Sequence, residues 1–216
     1  MTDSIGLMVP ELVSTWVSGW AVSRGTPPPL EKPWGFSSEV GDPDHGRHVL
    51  PAATEASVRR AAASVNVPHT WLKVPMEPDE VAGWLPEGWV VDKEETGHLM
   101  AVELRPTDPA PPEGYTASVE TRDGVTYVQV RDAAGGPAAT GQMAVLGQAT
   151  VVGRVVTEEA HRRRGLGDFV MRTLADHAAA EGASLGILGA TDDGRALYET
   201  LGWRRHTSLA ACVCRA

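Results

Sequence analysis

The chain has 216 residues, of which 42% are hydrophobic and 22% are charged, and its formal net charge is −9 at pH 7. These values are typical of a globular protein with a buried core. The acidic balance argues against general affinity for nucleic acid. The amino terminus lacks a basic segment, and no apolar run has the length of a membrane span. We therefore expect a cytoplasmic protein with no nucleic-acid or membrane partner.

A proline-rich segment divides the chain. Residues 105–114 contain four prolines and end in Gly114, so they continue neither a helix nor a central strand. Composition changes there, because six of the seven tryptophans precede this segment. The sequence predicts an amino-terminal α/β domain at residues 1–105, a linker at 106–114 and a second domain at 115–216.

The amino-terminal half shows alternating helical and strand patterns. Leu12, Trp16 and Trp20 recur at helical spacing, and Gly25 ends that helix. Thr54 is predicted to cap a second helix that reaches Val65. The remaining predicted elements are a hairpin of residues 34–40 and 46–50 around Gly41, a strand at 71–74, a short helix at 78–84, and strands at 89–91 and 99–104.

The carboxy-terminal half has clearer signals. Residues 115–121 and 125–131 alternate around Asp123-Gly124, which predicts a hairpin. Asp192 or Asp193 is expected to cap the last helix, and Gly202 to end it. The other predicted elements are strands at 138–145, 149–156 and 185–188, and a helix from Leu166 whose apolar stripe is Leu166, Phe169, Val170, Leu174 and Ala178.

Metal and disulfide chemistry are not expected. Cys212 and Cys214 are two apart on a strand, where a mutual disulfide is geometrically awkward, and we expect two small side chains at least partly buried in the last strand. The pair His45-x-x-His48 has no further ligand at metal-binding spacing. The sequence predicts no metal site.

One turn indicates an anion site. The segment His161-Arg-Arg-Arg-Gly-Leu-Gly167 follows a valine-rich strand and opens a helix. Such a turn directs unpaired backbone N–H groups outward at the positive end of the helix dipole, which suits a diphosphate. A P-loop is excluded because Asp168 follows Gly167, and a dinucleotide fingerprint is excluded because Val170 occupies the third small-residue position.

Two motifs carry a resemblance to a known family. Arg162-x-x-Gly165-x-Gly167 resembles the coenzyme A pyrophosphate loop of the GNAT superfamily of acetyl-CoA-dependent acyltransferases. The segment Ala196-Leu-Tyr-Glu-Thr-Leu-Gly-Trp203 is similar to the family's late motif, in which a short helix carries a tyrosine. The resemblance covers residues 115–216. It implies an α/β (α+β) fold with a mixed, mostly antiparallel sheet flanked by helices.

The amino-terminal half admits two interpretations. The order of its elements is similar to that of a GNAT domain without the phosphate loop, which would make the protein a tandem arrangement with a degenerate first copy. The alternative is an unrelated capping domain. Either would form one wall of the acceptor cleft.

The resemblance also implies site residues. Acetyl-CoA is expected as co-substrate, with its diphosphate held by the amides of residues 164–168 and by an arginine side chain. The strand before the loop is expected to splay from its neighbour and to pair with the pantetheine arm. Tyr198 is carried over as the general acid that protonates the departing thiolate. The expected cofactor-binding residues are Val155, Val156, Thr157, Arg162, Arg163, Arg164, Gly165, Leu166, Gly167 and Asp168.

The general base is not evident. Residues 149–156 contain no carboxylate, although family members often have a glutamate in this strand. Glu158 and Glu159 are expected to face solvent, Glu103 and Glu120 are candidates from other strands, and a chain of waters is an alternative. Arg154 either binds a carboxylate of the acceptor or points to solvent.

The sequence as a whole predicts an N-acetyltransferase. Its acceptor is expected to be a primary amine of a small molecule, which attacks the thioester directly. The alternative is a non-catalytic acyl-CoA-binding sensor. If Gly165 serves ligand approach, Gly165→Val should weaken acetyl-CoA binding far more than it disturbs folding.

Overall fold

The computed structural model describes residues 8–38, 46–65 and 67–215. The helices are α1 (Val9–Arg24), α2 (Glu55–Ser64), α3 (Pro78–Ala82), α4 (Leu166–Ala180) and α5 (Asp192–Thr200). The strands are β1 (Leu30–Lys32), β2 (Gly35–Ser38), β3 (Gly46–Val49), β4 (Thr70–Val74), β5 (Trp89–Glu103), β6 (Tyr115–Arg122), β7 (Val125–Asp132), β8 (Pro137–Leu146), β9 (Ala149–Thr157), β10 (Leu185–Ala190) and β11 (Arg204–Cys214). Among the described residues, no helix combines the length and apolar character needed to span a membrane.

Local sequence signals account for most element ends. Helix α1 ends at Gly25 in the left-handed conformation (φ 63°). Helix α2 begins after Thr54, whose side chain accepts a hydrogen bond from the Ser57 amide at 3.1 Å. Strands β2 and β3 pair antiparallel as a hairpin requires, and the predicted turn at Gly41 lies outside the described residues.

Two predictions about elements were wrong. The expected strands at 89–91 and 99–104 form the single strand β5, because the Thr96 hydroxyl bridges the irregular segment: it donates to the Asp92 carbonyl at 2.8 Å and accepts from the Ala211 amide at 3.1 Å. The cap of α5 is Thr191, not Asp192 or Asp193, since Thr191 Oγ1 accepts from the Gly194 amide. The Asp192 carboxylate is therefore not used as a cap, and it forms a hydrogen bond with His98.

All eleven strands form one sheet, in the order β1-β2-β3-β4-β11-β5-β10-β9-β8-β7-β6. Within the described chain only the β3–β4 and β9–β10 pairs are parallel. The sheet is therefore mixed and mostly antiparallel, as predicted. Strand β5 of the first half lies between β10 and β11, and β11 lies between β4 and β5. The two halves thus exchange their last strands.

The same succession of elements occurs twice. In the first half it is β3-α2-β4-α3-β5, and in the second it is β9-α4-β10-α5-β11. In both, the two strands flanking the first helix are parallel, and the second of them pairs antiparallel with the last strand of the other half. This topology confirms the tandem arrangement.

The linker between the two halves packs against the outer surface of α4. Residues 104–114 contain no helix or strand, and the amides of Thr107 and Asp108 donate to the Asp176 carboxylate at 2.9 and 2.6 Å. Asp176 lies on the polar face of α4, so the linker crosses the outside of that helix. The linker predicted at 106–114 therefore joins two halves that share one sheet.

Helices cover both faces of the sheet. Successive side chains of a strand point to opposite faces. On β5, Met100 packs in the cluster under α4 and α5, whereas Leu99 packs in the cluster under α1. Four strands lie between β3 and β9 in the sheet. Val49 of β3 and Val151 of β9 nevertheless pack in the same cluster under α1, so the sheet curls around this helix.

Candidate functional site

The first turn of α4 begins at a glycine and has no side-chain cap among the described residues. Strand β9 ends at Thr157, a short 3₁₀ turn covers Glu159–His161, and Gly165 is the N-cap of α4 with φ +78°. No side chain caps this helix, in contrast to α2, whose first turn is satisfied by Thr54. The amides of the first turn of α4 are therefore not satisfied by a capping side chain from the described residues.

Strand β9 separates from its parallel neighbour just before this turn. Its pairing with β10 runs from Ala149 to Val151, and in the described chain no later residue of β9 pairs with β10. The pairing of β9 with β8 also shifts, and in that bulge Arg154 adopts φ +51°. Val156 is 52% exposed. The result is a free backbone edge that leads to the α4 turn, as the expected splay requires.

The three consecutive arginines have different surroundings, and all are exposed. Arg162 Nε donates to the Thr157 carbonyl at 3.4 Å, which keeps this side chain beside the end of β9. Arg163 has φ +62°. Arg164 Nη1 donates to the Tyr115 hydroxyl at 3.2 Å. Of the other predicted residues, Leu166 is buried in the core, and Asp168 forms an ion pair with Arg172 at 2.9 Å.

The sequence did not reveal the group that holds Arg164. The Tyr115 hydroxyl lies 3.0 Å from His161 Nδ1, and His161 Nε2 lies 3.7 Å from an Asp132 carboxylate oxygen. Because Arg164 is only a donor, Tyr115 accepts from it and can donate to His161. His161 begins the Arg/Gly segment, but its partners lie on β6 and β7, so no local signal linked them.

The two loop glycines are required for reasons that differ from those expected. A Cβ at Gly165 would meet only Pro112 Cγ, at 4.0 Å, but the positive φ strains any side chain there. A Cβ at Gly167 would lie 2.8 Å from Leu197 Cδ2 of α5. Gly165→Val would therefore reduce stability as well as binding, and it does not separate the two effects.

Tyr198 packs beneath this turn on α5. Its neighbour Leu197 contacts Gly167, and its ring lies 6.1 Å from the Trp203 ring. The side chain is 9% exposed, and burial raises the pKa of its phenol. Among the described residues its hydroxyl has no hydrogen-bond partner.

The structure does not bring the candidate carboxylates to the site. Glu103 pairs with Leu185 at the start of β10, at the opposite end of the sheet from Thr157, where it lines a cavity of about 930 Å³. Glu120 lies on the edge strand β6. Glu158 and Glu159 are exposed in the turn, as expected. None of the four is placed as a general base.

A polar network connects the two halves beside α5. Arg205 Nε donates to His98 Nδ1 at 3.0 Å, so His98 carries its proton on Nε2 and donates to Asp192 at 2.7 Å. Arg205 also donates to Glu77, which accepts from Ser208 at 3.0 Å. The bond from His98 lowers the pKa of Asp192. The network joins the amino-terminal ends of α3 and α5 across β5 and β11.

The remaining polar candidates lie away from the turn. Cys212 and Cys214 are buried free thiols in β11, and burial raises the pKa of Cys212 to about 12, so it is a poor nucleophile. In the part of the chain that the structure describes, no cluster of three metal-ligating side chains occurs. His45 lies outside that part.

Comparison with known proteins gives the same fold. Residues 136–211 match the family model of FR47-like proteins. A GCN5-related N-acetyltransferase from Kribbella flavida matches with TM-score 0.66 and 20% identity, over 99% of this chain and 97% of that chain. A GNAT-family protein from Novosphingobium aromaticivorans matches with TM-score 0.59 and 19% identity, over 96% and 99%.

A tandem protein is also among the similar structures. A tandem GNAT protein from the clavulanic acid biosynthesis pathway matches with TM-score 0.56 and 14% identity, over 73% of this chain and 67% of that chain. A search of curated protein sequences finds no match. The chain therefore has the fold of the GNAT superfamily of N-acetyltransferases, as its two motifs predicted.

Proposed function

We propose that this protein is an N-acetyltransferase that moves the acetyl group of acetyl-CoA to a primary amine of a small molecule. The observation that carries the proposal is the combination of an uncapped glycine turn at α4 with a strand that leaves its neighbour directly before that turn. A diphosphate and an extended pantetheine arm need these two features together. The GNAT fold itself supports acyl transfer in general.

The residues at the turn fit the coenzyme. The amides of residues 164–168 would hold the diphosphate, with added charge from Arg162 and Arg163, whose side chains are exposed beside it. Arg164 is held by Tyr115 and would have to leave it to reach a phosphate. The free edge of β9 at Val155, Val156 and Thr157 would pair with the amide groups of the pantetheine arm.

The chain's own groups would act at the thioester. Acetyl-CoA supplies an acetyl group activated as a thioester. The β9 amides would donate to the thioester oxygen as it gains negative charge during attack by the amine nitrogen. Tyr198 would give its proton to sulfur as the carbon–sulfur bond breaks. Because burial raises the pKa of Tyr198, the phenol is protonated at neutral pH. The amine would lose its proton to water, since none of the four candidate glutamates is in place as a base.

A second candidate is a non-catalytic sensor that binds acyl-CoA. It is favoured by one observation: β9 carries no carboxylate, and the other glutamates considered lie elsewhere or in solvent. This candidate predicts the same coenzyme binding and no turnover.

Calorimetry and thiol release test these alternatives. Titration of acetyl-CoA into the full chain should give saturable binding, and a panel of small amines should then release free thiol from acetyl-CoA. Binding without turnover on any amine would favour the sensor. If no heat of binding were detected, both candidates would be wrong.

A further inference from the structure

Two arginines from different elements contact the Trp20 ring on the α1 face of the sheet, and a third, on the separated part of β9, lies close enough for its charge to lower the pKa of Arg24. Arg24 Cζ lies 4.4 Å from the centroid of the Trp20 ring, and Arg47 Cζ lies 5.4 Å from the same ring. Arg24 Nη1 lies 3.8 Å from the position of a Cβ on Gly153 of β9. The next residue along β9 is Arg154. We call Arg24, Arg47 and Arg154 the arginine cluster.

Two members of the cluster carry positive charge that no described residue balances. Arg24 and Arg154 form no hydrogen bond or ion pair with any residue that the structure describes. The pKa of the Arg24 guanidinium is lowered to about 10, first by burial and then by the charges of Arg154 and Arg47. Placing like charges together in a partly buried region costs free energy, and a bound anion would remove that cost.

A buried side chain fixes the end of α1, which carries Arg24, relative to the β9 bulge, which carries Arg154. Gln142 of β8, which is 6% exposed, donates to both the carbonyl and the hydroxyl of Ser23, the residue before Arg24. Gln142 also pairs with Gly153 across the β8–β9 ladder. It therefore connects the end of α1 directly to the bulge. The positive φ of Arg154 is a backbone conformation that costs free energy in a non-glycine residue.

Its position relates the cluster to the proposed reaction. Arg154 directly precedes Val155–Thr157, the edge proposed to carry the pantetheine arm. Side chains on the α1 face and the coenzyme turn at α4 lie on opposite faces of the sheet. A molecule anchored at the cluster would approach the open part of β9 from the face opposite to α4.

We infer that the arginine cluster binds the anionic group, a carboxylate or a phosphate, of the acceptor amine. The inference rests on the proposed acetyltransferase function and specifies its substrate class. Guanidinium groups match both anions through paired N–H donors. The Trp20 ring fixes Arg24 and Arg47 by cation–π contact, so less side-chain freedom is lost on binding. Simple alkylamines without an acidic group are therefore expected to be poorer acceptors.

The test uses matched pairs of amines and one conservative variant of the full chain. Each pair differs only in the anion: an α-amino acid and its carboxamide, and phosphoethanolamine and ethanolamine. Arg154→Gln removes one charge from an exposed side chain and keeps a non-glycine residue at the strained position. Arg60→Gln on α2, an exposed arginine remote from the cluster, is the control.

We expect the member that carries the anionic group to be the better acceptor in at least one pair. Arg154→Gln should raise the KM for that member by about tenfold, which corresponds to one lost charged hydrogen bond, with a smaller change in kcat. The KM for the member without the anionic group and the affinity for acetyl-CoA should not change. The two pairs distinguish a carboxylate from a phosphate. An unchanged ratio between pair members in Arg154→Gln would overturn the inference.

A second measurement keeps the outcome independent of turnover. With coenzyme A present at saturation to occupy the α4 turn, succinate or inorganic phosphate should raise the melting temperature of the wild type and of Arg60→Gln but not of Arg154→Gln. If acetyl-CoA binds and no amine reacts, the proposed function fails, and this shift still decides whether the cluster is an anion site. Equal shifts in all three proteins would exclude it.

Discussion

Tyr198 combines a buried ring with a hydroxyl that has no partner among the described residues. Because no hydrogen bond is lost, Tyr198→Phe should leave stability nearly unchanged, whereas loss of the acid should lower kcat by about a hundredfold. Steady-state kinetics and thermal melting measure the two effects. Tyr127→Phe, on the hairpin strand β7, is the matched control and should behave as the wild type.

The pH profile of the same variant gives a further check. Since burial raises the pKa of Tyr198, a fall in kcat caused by its ionisation should occur only above about pH 10. That limb should be absent from the profile of Tyr198→Phe. If both proteins had the same kcat, Tyr198 would not be the general acid.

His48 makes folding stability depend on pH. It is 7% exposed, and burial, followed by the charge of Lys32, lowers its pKa to about 4. The unfolded chain, with an ordinary histidine pKa near 6.5, binds this proton first. Stability should therefore fall as pH decreases from about 6.5 to 4, by about 3 kcal/mol in all for this residue.

Urea unfolding at pH 7 and pH 4.5 measures this effect. In His48→Gln the loss of stability between the two pH values should be smaller than in the wild type. His69, an exposed histidine before β4, serves as control through His69→Gln. Equal pH dependence in the wild type and His48→Gln would contradict the assignment.

At the scale of elements, the first turns of α2 and α4 differ in whether a side chain caps their backbone amides. The α2 turn is closed by Thr54, and the α4 turn begins at Gly165 without a side-chain cap. Thr54→Ala should lower the free energy of unfolding by about 1 kcal/mol and leave acetyl-CoA affinity unchanged. Denaturant unfolding and calorimetry measure both.

For α4 the informative change is Gly165→Asn. Asparagine tolerates left-handed backbone, so the fold should be kept within about 1 kcal/mol. Its side chain would stand over the first-turn amides and weaken acetyl-CoA binding by about tenfold or more. Gly165→Val should lower both the stability of the fold and the affinity for acetyl-CoA, because a β-branched residue at φ +78° is strained. Unaltered binding in Gly165→Asn would show that these amides do not hold the diphosphate.

At the scale of the whole molecule, strand exchange joins the two halves. Strand β5 completes the second half and β11 completes the first, and the network from Glu77 to Asp192 crosses the same boundary. We therefore expect one cooperative unfolding transition, with equal calorimetric and van't Hoff enthalpies. Two resolved transitions in differential scanning calorimetry would show that the halves fold independently.

Patterns that act over a few residues were readable in the sequence. The apolar stripe of α4, from Leu166 to Ala178, is buried as predicted, because helical periodicity alone places those side chains on one face. The Thr54 cap and the Asp123-Gly124 hairpin follow from local hydrogen bonds and turn geometry. The Arg/Gly turn and the Tyr198 segment are also short local motifs, and they allowed the fold to be predicted from the sequence.

Long-range arrangement was decided only by the tertiary structure. The exchange of β5 and β11 depends on strand pairing between residues about a hundred positions apart, which leaves no local signature. The same holds for the arginine cluster, whose members come from α1, β3 and β9, and for the contact of Gly167 with Leu197. Local sequence determined which elements form and that one helix begins open to an anion. Packing between distant segments decided what surrounds that opening.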